Sequence, residues 1–415
     1  MSQPIPIRHQ HLTKELPVNN ARVIANYFTT RREYEYVGTA GEPGSQGGAL
    51  VYNQRNDTGR FLRRIVIKYY ERNSWEAGLE FECLRRLAGA EHIVQLLGEG
   101  MKLFGSTTGL IMEYVGYGTY DHMQLRLEDR RIHRSQDLPV PNRFIWRMAL
   151  CFVRACIAMR YPPNATYTGP FREVAVRREV IPDPEPDVTS IMHQDILSIN
   201  TLLSGLKMDD VEHRLSPLIK IIDFGKATRG PDDGSNLFHC AKLIGELATD
   251  VTGFPLITQR VNVNTTASPG GIDIDTMADV KSLERVQTTK ELRDFIYRCM
   301  SPSSQIPLGE ALEICLANVA KGPHEFPGLQ GGGVWETDHY ITTFIQETVL
   351  DGNTDGELER LRVGRQVSLP KRPREEMDRN SRPVKRRRTS AEMTPDVPIS
   401  VSGYEPFDDL DSMES

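Results

Sequence analysis

The first half of the chain alternates short β-like runs with one helical stripe. YEYVG, ALVYN and RRIVIKYY favour strands, and the polar turn at residues 56–59 predicts a hairpin between the last two runs. In residues 74–88, Leu79, Cys83 (or Leu84) and Leu87 recur at spacings of three and four, which predicts an amphipathic helix. HIVQLLGEG and GLIMEYV predict two more strands. A small lobe of about five strands and one helix follows.

The second half is predominantly helical in pattern. Residues 142–161 are strongly apolar and are followed by Pro162, which cannot continue a helix, so they predict a helix buried in a second lobe. From 236 to 350 the pattern is mostly helical, with a polar loop near 258–275.

The composition changes sharply after about residue 355. Residues 365–388 contain ten basic and three acidic residues, a net charge of +7, whereas residues 389–415 contain seven acidic residues and no basic one. Both segments are poor in aliphatic side chains and would bury little surface, which predicts a disordered tail.

Composition narrows the class of protein further. The first twenty residues lack the apolar core of a secretory signal, and no run of about 18 apolar residues predicts a membrane span. Six cysteines are scattered without paired metal-ligand spacing, which favours buried free thiols in a reducing, intracellular compartment. The net charge of −6 indicates no particular partner.

The order of several features is more informative than any one of them. A Gly-rich hairpin, a strand ending VIKYY, a helix with Glu80, a strand pair ending MEYV, HQDILSIN and DFG follow one another. Alone, Lys68 fits an edge strand, and Asp195 with Asn200 fits an Asx turn. Together the set resembles the protein kinase superfamily over roughly residues 33–320, and more loosely its divergent fungal members.

The resemblance implies an α+β, two-lobed protein kinase-like fold, with a small β-rich N-lobe and a larger helical C-lobe. It implies an N-terminal extension over 1–30, an N-lobe over 31–116, a C-lobe over 117–350 with inserts near 162–188 and 204–217, and a tail over 355–415.

Catalytic roles also follow from the resemblance. Asp195 would accept the proton of the acceptor hydroxyl, and Asp223 and Asn200 would bind Mg²⁺ that bridges the phosphates of ATP. His193 would pack under this loop as a structural residue.

A cation and its carboxylate partner complete the implied machinery. Lys68 would reach the α- and β-phosphates from its strand, paired with a carboxylate on the following helix. Glu80 lies four residues before Leu84 and is the first choice, because this is the register of the family. Glu82 points to another face and is the second choice.

The nucleotide would contact two further segments. Gly44 and Gly47 match the last two glycines of the phosphate-binding loop, although Glu42 occupies the place of the first, and a surface turn is the alternative. Glu113 and Val115 would be the hinge whose backbone meets adenine. Met112 would lie behind adenine, or simply pack in the core.

Departures from the family pattern bear on regulation and substrate. Gln194 replaces the arginine that grips a phosphorylated activation loop. Leu197 replaces a lysine near the γ-phosphate, as in small-molecule kinases. The APE motif is missing, only about ten residues separate Gly225 from the next helix, and Gln305 replaces the arginine that pairs with that motif.

The basic part of the tail resembles a bipartite nuclear import signal. Residues 371–372 and 385–388 are two basic clusters separated by twelve residues. An importin partner and a nuclear location, with possible exchange with the cytoplasm, are therefore expected, and a solvated basic run is the alternative. No base-reading module accompanies the tail, so sequence-specific binding to nucleic acid is not expected.

The sequence therefore predicts an ATP- and Mg²⁺-dependent phosphotransferase that acts on Ser/Thr hydroxyls of a protein substrate. A small-molecule kinase with a hydroxyl acceptor and a non-catalytic nucleotide-binding scaffold are the alternatives.

Overall fold

Five antiparallel strands form the N-terminal part of the protein. A computed structural model describes residues 20–40, 47–70, 75–99, 109–134, 139–163, 174–186, 189–232, 234–249, 253–326 and 333–351. The strands are β1 (Tyr34–Thr39), β2 (Gly47–Arg55), β3 (Phe61–Tyr70), β4 (Leu96–Glu99) and β5 (Gly109–Glu113), in the sheet order β1-β2-β3-β5-β4. The predicted hairpin joins β2 to β3, and the Asn56 side chain accepts hydrogen bonds from the backbone amides of Thr58 and Arg60 in its turn.

Two helices cover opposite faces of this sheet, α1 (Asn20–Thr29) and α2 (Trp75–Arg86). Side chains alternate between the faces of a strand, so Ile65 and Ile67 of β3 pack with Phe28 of α1. Tyr70 of β3 belongs instead to the core that includes Leu84 of α2. Residues of β3 that share the parity of Tyr70 therefore face α2.

Helices dominate the rest of the chain, which confirms the predicted α+β class with a β-rich N-terminal lobe and a helical C-terminal lobe. The helices are α3 (Tyr120–Arg134), α4 (Asn142–Arg160), α5 (Ser235–Thr249), α6 (Val280–Arg285), α7 (Lys290–Cys299), α8 (Leu308–Ala320) and α9 (Asp338–Ile345). The short strands are β6 (Ser190–Met192), β7 (Thr201–Leu203), β8 (Ile219–Ile221), β9 (Thr228–Gly230), β10 (Gln259–Val263) and β11 (Ile272–Thr276).

The predicted apolar helix is α4, which is buried from Asn142 to Met159 and forms the centre of this lobe. It also carries buried arginines, and burying a charge is costly unless a partner is supplied. Arg143 pairs with Asp338 at 2.7 Å, and Arg154 pairs with Glu212 at 2.8 Å. Polar contacts therefore fix the position of an otherwise apolar helix.

The predicted polar loop near 258–275 is wrong, because β10 and β11 form an antiparallel hairpin there. Val263 and Ile274 are buried, while neighbouring residues of both strands are exposed. Each strand has few apolar residues, so the alternation of apolar and polar residues was too short to predict a strand. The prediction also left α3 unassigned, although Tyr120, Met123 and Leu127 form its buried stripe.

All six cysteines are buried and free, which confirms the predicted thiols. No helix within the described ranges is both long enough and apolar enough to cross a membrane. The described parts of the two inserts, 174–186 and 204–217, contain neither helix nor strand. The tail over 355–415 lies outside the described residues.

Candidate active site

Lys68 lies between two carboxylates from distant parts of the chain. Its Nζ is 2.6 Å from Glu80 Oε2 on α2 and 2.7 Å from Asp223 Oδ1 after β8. Lys68 has the parity of Tyr70 on β3, which turns its side chain toward α2. The structure thus brings together three of the side chains predicted from the sequence.

Glu80 faces Lys68, whereas Glu82 pairs with Arg85 in solvent. The Glu80 side chain is fully buried and also accepts a hydrogen bond from the Tyr70 hydroxyl. Burial raises the pKa of Glu80, an effect that the Lys68 cation partly offsets. Burial alone would lower the pKa of Lys68, but the two carboxylates outweigh it and raise that pKa.

The Asp-Phe-Gly turn presents Asp223 to Lys68. Asp223 has φ of 67° and ψ of 68°, a left-handed conformation that is uncommon for a non-glycine residue. Burial would raise the pKa of Asp223, but the Lys68 ammonium outweighs it and holds the pKa below its usual value. Phe224 is buried beneath the turn, with its ring centroid 4.5 Å from that of His193.

A short hairpin places Asn200 beside this turn. Strands β7 and β8 are antiparallel, with Thr201 opposite Ile221, and the Ile222 amide donates to the Asn200 carbonyl at 3.0 Å. Asn200 Nδ2 donates to the Asp195 carbonyl at 2.9 Å and contacts Asp195 Oδ2 at 3.3 Å. Asp195, Asn200 and Asp223 therefore lie at one end of this hairpin.

His193 fixes the backbone of the loop that carries Asp195. Its Nδ1 accepts the Asp195 amide at 3.2 Å, and its Nε2–H donates to the Ile222 carbonyl at 2.9 Å. Burial lowers the pKa of His193 to about 4, so the ring is neutral in this arrangement. Gln194 and Asp223 are the two non-glycine residues with positive φ among the described residues, which marks both turns as constrained.

Lys226 is a site residue that the sequence reasoning missed. Its Nζ lies 3.0 Å from Asp195 Oδ2, and 58% of its side chain is exposed. Leu197, which stands where the family has a lysine, is exposed and contributes no charge. The available signal was a lysine directly after DFG, whose 3₁₀ turn over Phe224–Lys226 points it back toward the catalytic loop.

The short segment after DFG is held without an APE motif. Strand β9 pairs with β6, and α5 begins at Ser235. Asn236 of α5 accepts the His193 amide at 2.9 Å and donates to the Ile191 carbonyl at 2.8 Å. Gln305 Nε2 donates to the carbonyls of Gly234 and Cys299. The Gln305 amide thus anchors this segment.

No protein-family model matches the chain, and no curated protein matches it. Among the solved structures that it resembles is the crystal structure of the BubR1 kinase domain. That likeness covers 84% of this chain and 100% of that chain, with a TM-score of 0.45 and 11% sequence identity.

The predicted nucleotide contacts are less sharply defined. Gly44 lies outside the described residues. Gly47 begins β2 opposite Tyr70, and a Cβ there would lie 1.9 Å from the Tyr69 carbonyl oxygen, so strand packing alone requires a glycine. Val115 is half-buried just after β5.

Glu113, which the sequence predicts as a hinge residue, uses its side chain to connect the lobes. Its carboxylate accepts the Gln95 amide at 2.8 Å and pairs with Lys220 of β8 at 2.5 Å. Met112 is 6% exposed and belongs to the core, as the packing alternative anticipated. In the β3–β5 register, Glu113 lies three positions beyond the residue opposite Lys68, about 10 Å along the strand.

The donor set fits a magnesium ion. Mg²⁺ prefers oxygen ligands and takes one or two from protein carboxylates or amides. The Asp223 side chain is 42% exposed. The side-chain nitrogen of Asn200 donates to Asp195, so the side-chain oxygen of Asn200 could bind a metal ion. Asp223 and Asn200 are the side chains that would hold the ion.

Proposed function

We propose that this protein is an ATP- and Mg²⁺-dependent phosphotransferase that acts on Ser/Thr hydroxyls of proteins. The observation that carries the proposal is the Lys68 ammonium between Glu80 at 2.6 Å and Asp223 at 2.7 Å. Phosphoryl transfer is achieved chiefly by positioning and charge stabilisation, and this cluster supplies a fixed cation beside a metal-binding carboxylate.

Lys68 would hold the α- and β-phosphates of the nucleotide. Glu80 fixes the lysine from the buried side, and Tyr70 fixes Glu80 in turn. Because Glu80 is tied to α2, the position of that helix controls where the ammonium lies. A magnesium ion held by Asp223 and Asn200 would neutralise charge on the phosphates.

Asp195 would orient the acceptor hydroxyl and take its proton as the phosphoryl group leaves ATP. Its Oδ2 is already contacted by Lys226 and Asn200, which aims the carboxylate and leaves it 20% exposed. Leu197 stands where the resemblance leads us to expect a lysine near the γ-phosphate. Lys226 would supply that positive charge from another position in the chain. It is therefore suited to stabilise negative charge on the transferred group.

The abbreviated segment between Gly225 and α5 favours a second candidate, a small-molecule kinase. In the protein kinase family a peptide substrate binds along that segment. In this chain the segment is short, and hydrogen bonds with Asn236 and Gln305 hold it in place. The basic clusters in 371–388, which fit an importin groove, support a protein substrate met in the nucleus.

One experiment tests the proposal. Full-length protein is incubated with γ-labelled ATP and Mg²⁺ against a nuclear protein extract and a panel of small hydroxyl compounds, with Asp195→Asn as the matched control. Label in proteins that disappears with Asp195→Asn supports the first candidate, and label in a small compound supports the second.

A third result would contradict the enzymatic proposal. If Mg²⁺-ATP raises the thermal unfolding midpoint but no label leaves ATP in any mixture, the chain is a nucleotide-binding scaffold. We expect Asp195→Asn to bind ATP within a few-fold of wild type, because a catalytic base acts mainly in the transition state.

A further inference from the structure

A second polar cluster lies against helix α4 and shares no residue with the Lys68 site. Cys151 of α4, His92 of the loop before β4 and His213 of the 204–217 insert are fully buried. One potential ligand atom from each lies within 4.8 Å of the other two. A thiol and two imidazoles are soft and borderline ligands of the kind that bind zinc.

The separations suit a single ion. Cys151 Sγ lies 3.7 Å from His213 Nδ1. Zinc bonds of about 2.3 Å to sulfur and about 2.0 Å to nitrogen, at a tetrahedral angle, put the two ligand atoms about 3.6 Å apart. The pair is therefore already spaced as two ligands of one tetrahedral centre.

Two ring nitrogens in the cluster lack good hydrogen-bond partners. His92 Nε2 and His213 Nε2 are buried and have no hydrogen-bond partner of good geometry within the described part of the chain, although His92 and the Cys151 thiol interact. A buried ring nitrogen without a good partner is unfavourable, so a native core seldom keeps two side by side. A metal ion would satisfy His92 directly.

The outer partners are also those of a metal site. His92 Nδ1 is 2.7 Å from Glu179 Oε2, which leaves Nε2 as the nitrogen with a free lone pair. A carboxylate behind a ligating histidine is the usual arrangement in zinc sites, because it fixes the tautomer and the ring orientation. Carboxylate oxygens of Glu91 and Asp210 lie within 4.8 Å of a His213 nitrogen.

We propose that Cys151, His92 and His213 bind a structural zinc ion, with Glu179 orienting His92. Both inserts that depart from the family pattern contribute, Glu179 from 162–188 and His213 from 204–217. The ion would join them to the central helix α4, so its role is to hold the lobe together. This proposal does not depend on the proposed function.

Metal analysis of untagged full-length protein tests it. We expect one zinc per chain, measured by plasma mass spectrometry after dialysis. Removing zinc with a chelator should lower the thermal unfolding midpoint, and added ZnCl₂ should restore it. Cobalt in place of zinc should give a thiolate-to-metal charge-transfer band in the near ultraviolet, because Cys151 supplies sulfur.

Matched cysteine variants assign the ligand. Cys151→Ser should lose the band and stoichiometric zinc, whereas Cys299→Ser, which removes a buried thiol elsewhere, should keep both. Zinc retained by Cys151→Ser would overturn the ligand set. If Cys151→Ser does not fold, wild type alone decides, since no charge-transfer band on cobalt addition to the metal-free protein refutes the site.

Discussion

Replacing Lys68 with methionine should destabilise the protein because it leaves Glu80 buried without its cation. The Glu80 side chain is fully buried, whereas that of Asp223 is 42% exposed and keeps contact with water. Removing one partner of a buried ion pair costs about 3–5 kcal/mol. The Tyr70 hydroxyl still donates to Glu80. The low end of that range, about 3 kcal/mol, is therefore expected.

The loss should depend on pH in a defined direction. Without Lys68, the hydrogen bond from Tyr70 still opposes the effect of burial, but the pKa of Glu80 rises further above its usual value of 4.5. The folded variant then holds a proton that the unfolded chain releases, so its deficit is small near pH 4.5 and grows as pH rises.

Urea denaturation of five proteins measures these effects. Wild type, Lys68→Met and Glu80→Gln are compared with the double variant, which removes both charges and should recover to within about 1 kcal/mol of wild type. Arg85→Met is the matched control, because Arg85 and Glu82 pair within α2 with 49% and 35% of their side chains exposed, an interaction worth under about 1 kcal/mol. A Lys68→Met loss no larger than that of the control, or a double variant no better than the single, would refute the reasoning.

Three further predictions address the site and the tail. Lys226→Met should slow phosphoryl transfer about ten- to hundredfold, and Lys226→Arg should retain most of the rate. The reason is that an exposed cation near a phosphate contributes about 1–3 kcal/mol to the barrier, and about 1.36 kcal/mol corresponds to a tenfold change in rate. An unchanged steady-state rate for Lys226→Met would contradict this role. Folding lowers the pKa of His193 from 6.5 to about 4, so between these pH values the unfolded chain binds a proton that the folded protein does not. The free energy of unfolding therefore decreases by about 3 kcal/mol in total as the pH falls from 6.5 through 4. His193→Gln should flatten that part of the urea stability profile, and a profile parallel to wild type would disprove the assignment. Deleting residues 371–388 should move a fluorescently tagged protein to the cytoplasm, and unchanged nuclear imaging would reject the import signal.

Much of the site was anticipated because the order of its motifs resembles that of the protein kinase superfamily. The register implied by that resemblance favoured Glu80, and the structure finds Glu80 buried on α2, whereas Glu82 faces solvent. The parity of Lys68 on β3 determines which face of the sheet it occupies.

Contacts that depend on turns were not predictable from periodicity. The approach of Lys226 to Asp195 follows from the left-handed Asp223 and the 3₁₀ turn after it, neither of which has a repeating pattern. The cluster of Cys151, His92 and His213 joins residues more than 50 positions apart, through loops with no recognisable spacing. The β10–β11 hairpin was missed because few of its residues reach the core.

Helix α1 has a practical consequence for anyone who trims the chain. The recognisable motifs begin near residue 33, yet Ile24 and Phe28 of α1 cover the face of the sheet formed by Tyr52, Ile65 and Ile67. A polypeptide that starts at the motif boundary would expose that apolar face to water, and exposed patches of this kind promote self-association. Recombinant fragments should therefore begin upstream of Asn20.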